Sequence, residues 1–277
     1  MAANAGLVDG ILCVSQPLKE LVCRHLPELE ASRVQVLPLP ISRCPIEVPQ
    51  APLQGRPIVI GVNGRLVKEQ KRIDRLPRLI QVLDRARLNY RLELLGDGPD
   101  QLWLEQHMAS HPRVQFHGRK TGGEYWKIVA GWDVILFTSD FEGLPLALLE
   151  AMSAGVLPVY PRINSGGEFY VYQVNPEFLH DTEDFPRVAA VLAEIASAAE
   201  SRVQAWREIS RSVVEPHAGD AYDRTYSSFV RQIREMPRVS NAHLPRRQFY
   251  VSDFLPFVIL GRFYLRGFHR PNRAPHS

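Results

Sequence analysis

The sequence predicts an α/β fold, a parallel sheet with helices on both faces. Two observations predict it. Short apolar runs alternate with longer amphipathic segments along most of the chain. The runs are also uninterrupted, not alternately polar and apolar, as expected of strands buried on both faces.

The elements follow in order. Residues 11–14 read as a strand ending at Ser15, residues 17–25 as a helix and residues 34–37 as a second strand. Pro38, Pro40, Pro45, Pro49, Pro52 and Pro57 then mark a linker, because proline continues neither a helix nor a central strand. Beyond it, residues 58–62, 92–95, 114–116, 134–137 and 156–160 read as buried strands. Residues 73–86, 101–108, 123–129, 145–153, 185–199 and 222–234 read as helices, with 181–184 capping the one that begins at 185. The expected division is 1–41, 42–219 and a helical, basic tail at 220–277.

Composition narrows the function. The 277 residues are 45% hydrophobic and 23% charged, enough apolar content for a substantial core. A net charge of +3 gives no global field suited to nucleic acid. The positive charge is concentrated at the end, where Arg246, Arg247, Arg262, Arg266, Arg270 and Arg273 face one acid, Asp253. Cys13, Cys23 and Cys44 form no paired framework, so a reducing, cytoplasmic compartment is expected. No zinc spacing and no signal peptide are visible. The apolar stretch 254–260 contains Pro256 and falls short of the ~20 residues of a spanning helix.

In parallel sheets ligands bind beyond the carboxyl ends of the strands, so the loops there carry the chemistry. The first holds Arg65 and Lys71, a planar fork of donors and a compact point charge that together suit two phosphate groups without a metal. The second holds Glu142 and Gly143 and runs through Leu144 and Pro145 into a helix containing Glu150. Gly143 permits close approach of a ligand, and a helix N-terminus favours an anion. Glu150 lies between Leu149 and Ala151, where a charge needs a partner. A third loop, 164–168, is glycine-rich and is either near the same ligand or an ordinary turn.

The pair Glu142 and Glu150, within E-G-L-P-L-A-L-L-E-A-M-S-A-G, resembles the signature of the retaining glycosyltransferases of family four, which have the GT-B fold. G-R-L-V-K-E-Q-K-R-I-D at 64–74 resembles that family's phosphate loop, and L-L-G-D-G-P at 94–99 and V-Q-F-H-G at 114–118 its next strand ends. Residues 9–15 and 34–41 resemble the last strands of the family's first domain. The resemblance implies a Rossmann-like GT-B C-terminal domain, preceded by a remnant of an N-terminal acceptor domain. It implies transfer of a sugar from a nucleotide diphosphate sugar to an acceptor hydroxyl with retention, without cofactor or metal. Arg65 and Lys71, with backbone N–H groups of Gly143 and Leu144, would bind the donor diphosphate or sugar. Glu150 would bind the ribose, Glu142 would act at the reacting sugar, and backbone near Arg119 and Lys120 would meet the base.

Two departures stand out: Pro38-Leu39-Pro40 replaces the usual linker motif, and Arg72 stands where glycine is usual. The short first domain implies a separate N-terminal-half chain as partner, or a truncated start. A sugar-nucleotide epimerase and a non-catalytic nucleotide-sugar-binding module are the alternatives. The acceptor, lipid-linked or polysaccharide, is not named by the sequence. The tail at 246–277 is expected to pack on the absent half, or to touch an anionic membrane at the inner face.

Overall fold

The computed structural model describes residues 8–46, 51–217 and 220–237. Residues 10–236 form one compact unit. Residues 1–9 and 237–277 are grouped apart from it and lie almost wholly outside the described residues, as does the whole of the basic, aromatic segment 246–277.

The unit opens with a small parallel pair. Strands β1 (Ile11–Cys13) and β2 (Val34–Val36) are joined by helix α1 (Gln16–His25). Beyond the prolines lies a six-stranded sheet, every strand parallel to its neighbours. Its first half contains β3 (Ile58–Asn63), α2 (Lys68–Lys71), α3 (Leu76–Arg85), β4 (Tyr90–Leu95), α4 (Gln101–Met108) and β5 (Val114–Gly118). The second half contains α5 (Gly122–Val129), β6 (Val134–Leu136), α6 (Leu146–Ser153), β7 (Leu157–Pro161), α7 (Gly167–Val174) and β8 (Leu179–His180). Helices α8 (Phe185–Ser197), α9 (Glu200–Val214) and α10 (Asp220–Glu235) complete the unit.

The strand order is β5-β4-β3-β6-β7-β8. The chain winds outward from β3 to β5, then returns through α5 to place β6 on the other side of β3. Such a reversal opens a crevice at the carboxyl ends of the two central strands, here β3 and β6.

The central strands are largely apolar, with Arg91 and Glu93 the charged residues of β4. Ile58, Ile60, Leu92, Val134, Ile135 and Val159 are all at most 1% exposed. Helix α3 buries Leu76, Leu79, Ile80 and Leu83, the i, i+3, i+4, i+7 stripe of an amphipathic helix. It packs against α8, while α6 and α7 pack against α9. Helix α10 returns to the small pair: a Cβ on Gly10 would lie 2.7 Å from the Ile233 side chain.

Some boundaries differ from the sequence expectation. The helix expected over 73–86 begins as a 3₁₀ turn, Ile73–Arg75, and becomes α-helical at Leu76. Pro145 is not the first helical residue but the N-cap, with an extended ψ of 112°. Helices α7 and α9 and the two-residue β8 were not anticipated. Asp184 does cap α8, accepting the Arg187 N–H at 3.0 Å.

Two devices fasten the end of the sheet away from the crevice. Asp133, just before β6, accepts Arg56 Nη1 at 2.7 Å, Arg207 Nη2 at 2.9 Å and the Val59 N–H at 2.8 Å. Arg207 is completely buried, so this cluster ties α9 to the sheet; breaking such a pair strands a buried charge. The Trp132 ring lies directly over Gly61 in β3, where a Cβ would sit 2.0 Å from the ring. Gly61→Ala is therefore expected to cost about 1–3 kcal/mol by overpacking. Gly123→Ala, in open space within α5, should be neutral or stabilising by about 0.5–1 kcal/mol. Urea unfolding of both variants checks this; equal effects would refute the packing argument.

Candidate functional site

The loops that follow β3 and β6 meet at the crevice. After β3 the chain passes Gly64 and Arg65 and forms the single turn α2, which ends at Arg72. Arg72 is left-handed, with φ 50° and ψ 46°, a conformation that strains most side chains and explains why glycine suits the position. Here the strain is offset by charge. Arg72 Nη1 binds Asp140 at 2.6 Å and Nη2 binds Asp74 at 3.0 Å. Arg75 reaches Asp140 at 2.6 Å and the Thr138 carbonyl at 2.7 Å. Backbone contacts complete the seam: the Thr138 hydroxyl donates to the Lys71 carbonyl at 2.8 Å, and the Asp140 N–H donates to the Gln70 carbonyl at 3.0 Å.

This seam sets Lys71 against Glu142. Lys71 Nζ lies 2.6 Å from Glu142 Oε1, with the two side chains 19% and 6% exposed. The Ser139 hydroxyl donates to the same oxygen at 2.7 Å, and Gln70 Nε2 donates to Oε2 at 3.3 Å. Glu142 is thus held by three donors from both loops, while its neighbour Gly143 is exposed. Leu144 is buried and anchors the start of α6 in the core.

Glu150, one face down α6, has the partner its surroundings demand. The Tyr125 hydroxyl donates to Glu150 Oε2 at 2.5 Å and accepts from Asn63 Nδ2 at 3.0 Å. Burial pushes the Glu150 carboxyl above its ordinary value, although the tyrosine hydrogen bond opposes the shift. Burial and the nearby carboxylate push the Tyr125 hydroxyl up as well.

A cleft of about 650 Å³ opens beside these groups. Asn63, Gly64, Arg65, Arg119, Lys120 and Tyr125 line it, with the turn 96–99. Glycine shapes this wall. Gly96 has φ 135°, and a Cβ there would lie 2.0 Å from the Gly64 carbonyl oxygen; one on Gly98 would lie 2.3 Å from that of Leu66. Arg65 and Arg119 are exposed, and Lys120 pairs with Glu124 at 3.4 Å. The third glycine-rich loop takes its own direction. Glu168 accepts the N–H groups of Ile163 at 2.8 Å, Asn164 at 3.0 Å and Ser165 at 2.5 Å, and so orders the loop from behind.

The structure therefore gathers Lys71 with Glu142, and Arg65, Arg119 and Lys120 along one cleft. Glu150 joins that cleft through Tyr125. Sequence reasoning missed Asn63, Tyr125, Ser139, Gln70 and the Arg72–Asp140 bridge. A polar residue closing an apolar strand was the visible signal for Asn63; nothing comparable marks Tyr125. On β5, His117 Nε2 contacts the buried Glu93 at 3.0 Å. Among the described residues no three His, Cys, Asp or Glu side chains converge as a metal site, and no helix is long and apolar enough to cross a membrane.

Comparison with known proteins adds the family. A family model described as "Glycosyl transferases group 1" matches residues 46–206. Lipopolysaccharide 1,6-galactosyltransferase of Salmonella typhimurium strain LT2 is 29% identical over 163 residues, 53% of this chain and 41% of that protein. The chain thus spans less than half of that relative's length. Among solved structures, the apo form of the lipopolysaccharide outer core galactosyltransferase WaaB superposes with a TM-score of 0.65 at 23% identity, over 81% of this chain and 62% of that one. The pneumococcal O-GlcNAc transferase GtfA, in complex with UDP and GlcNAc, superposes with a TM-score of 0.67 at 19% identity, over 84% and 47%. These likenesses show a GT-B fold.

Glu150 carries a testable cost. Its folded carboxyl titrates above the ordinary value of 4.5, so folding favours the protonated form, and this contribution is lost as pH rises through the folded value. Glu150→Gln should therefore raise Tm at pH 7, and the gain should vanish below pH 4.5. Thermal melts across pH check it. A variant less stable than the parent at pH 7 would show that the charge stabilises the fold.

Proposed function

Because the chain belongs to the glycosyl transferases group 1 family, we propose that its crevice binds a nucleotide diphosphate sugar and that the whole protein transfers the sugar to an acceptor hydroxyl with retention of configuration, as family-four enzymes do. The observation that carries this reading is the Lys71–Glu142 contact at the switch point, beside a cleft edged by further cations.

Cleaving a sugar–diphosphate bond builds negative charge on the leaving oxygen and positive charge on the sugar. Lys71 and Arg65 meet the first charge, a task for fixed cations that needs no metal in this reading. Glu142 meets the second; a carboxylate beside a cationic sugar is the usual device of glycosyl chemistry. Without a donor Lys71 rests on Glu142. A diphosphate takes over the lysine and leaves the carboxylate to Ser139 and Gln70, free to face the sugar. Glu150, fixed by Tyr125 at the edge of the nucleoside cleft, accepts from the ribose hydroxyls. Backbone at Gly143 and Leu144 approaches the sugar or phosphate, and backbone near Arg119 and Lys120 approaches the base.

The UDP in the pneumococcal neighbour supports a uridine nucleotide as the first donor to test. The lipopolysaccharide galactosyltransferase among the relatives supports a glycolipid or polysaccharide acceptor.

Arg65→Ala and Lys71→Ala should each weaken UDP or GDP binding by roughly 1.5–3 kcal/mol, the worth of a hydrogen bond to a charged group; Arg65→Ala should leave folding little changed, whereas Lys71→Ala strands the Glu142 carboxylate and should lower stability as well. Isothermal calorimetry on the full chain measures it. Unaltered affinity in both variants, beside a parent that binds, would remove these residues from the site.

A further inference from the structure

The Tyr125 hydroxyl makes the two oxygens of Glu150 unlike. It donates to Oε2 at 2.5 Å. Among the described residues no donor reaches Oε1. Among the same residues, the buried side-chain polar atoms without a partner belong to His180 and Arg207. Glu150 Oε1 is therefore open to solvent.

Tyr125 is firmly seated. Its ring is half-buried and meets Trp126 edge-on, with centroids 5.1 Å apart and planes at 75°. Its hydroxyl accepts from Asn63 Nδ2 at 3.0 Å while it donates to Glu150. Both partners sit on rigid elements. Asn63 closes the central strand β3, in register with Leu95 of β4. Glu150 lies in α6 between Leu149 and Ala151, each 0% exposed. Swinging the tyrosine away would leave an amide donor and a half-buried carboxylate oxygen without their partner, which is costly. Asn63 and Tyr125 also line the nucleoside cleft, so a nucleotide meets this chain of hydrogen bonds already assembled.

A ribose offers two neighbouring hydroxyls. A carboxylate only accepts, and with both oxygens free it can take one hydroxyl on each. At Glu150 the protein's own hydroxyl holds one of those places. Burial pushes the Glu150 carboxyl up and the tyrosine bond opposes this only in part, so the open oxygen gains from a further donor.

We propose that Tyr125 is a positioning residue that leaves Glu150 a single oxygen, Oε1, for the ribose, so that the site reads one ribose hydroxyl and is indifferent to the other. The inference rests on the reading of Glu150 as the ribose acceptor.

Calorimetry on the full chain tests it by comparing UDP and GDP with their 2′-deoxy and 3′-deoxy forms. In the parent, one deoxy form should bind about tenfold or more weakly than the ribonucleotide, the scale of one hydrogen bond to a charged group. The other deoxy form should match the ribonucleotide. Tyr125→Phe keeps the ring and frees Oε2, and both deoxy forms should then lose about tenfold against the ribonucleotide in that variant. A purely structural role for the hydroxyl would weaken all three ligands alike and keep the one-sided pattern. That outcome, or equal losses for both deoxy forms in the parent, would overturn the role of Tyr125 and leave Glu150 as the ribose acceptor. A parent that binds all three ligands equally would overturn the ribose reading, and this inference with it. A parent that binds neither UDP nor GDP would overturn the diphosphate reading as well.

Discussion

Lys71 Nζ stands 2.6 Å from a Glu142 carboxylate whose side chain is only 6% exposed, and much of the surrounding structure exists to hold that contact. Removing two charges from water is costly, and the attraction repays it only when the geometry is fixed and the remaining lone pairs are satisfied. Both conditions are met by neighbours from different loops. Ser139 and Gln70 supply the further donors to Glu142. Arg72, Arg75 and Asp140 clamp the lysine loop to the glutamate loop. The clamp works only because the order of winding reverses between β3 and β6, which brings two loops far apart in sequence to the same crevice.

The same region bears the structure's conformational and electrostatic costs. Arg72 is held left-handed, Glu150 is half-buried with its carboxyl pushed up, and Gly96 and Gly98 leave no room for a side chain. Away from the crevice the devices are of another kind. Asp133 with its two arginines, and Trp132 over Gly61, lock the opposite end of the sheet. That end stabilises the fold, and the crevice end carries its conformational and electrostatic costs.

Much of this was legible in the sequence, for physical reasons. Strands in a sheet covered on both faces are mostly apolar, so five of the six sheet strands stood out despite Glu93 in β4 and Gln115 in β5. Charged residues just after such strands had one plausible place to go, and Arg65, Lys71, Glu142 and Glu150 do lie around one crevice. The resemblance to family four supplied their roles, which spacing alone does not. What stayed hidden depends on contacts distant in sequence. Tyr125 looks like any aromatic on an amphipathic helix until Glu150 and Asn63 are placed beside it. Helix α9 presents many charges, and its buried Arg207 makes sense only opposite Asp133, 74 residues earlier. Helix α7 follows a glycine pair that reads as a turn, and only the backward reach of Glu168 reveals how the turn is held.

The central claim is that Lys71 is shared between Glu142 and a diphosphate, and a double-mutant cycle read in UDP affinity tests it most directly. Glu142→Gln releases the lysine and removes a nearby negative charge, so UDP should bind more tightly, about tenfold on the scale of one charge-assisted contact. In the Lys71→Ala background the same substitution should give little of that gain, because the ammonium for which carboxylate and phosphate compete is gone. Weaker UDP binding by Glu142→Gln, or an equal gain with and without Lys71, would contradict the account.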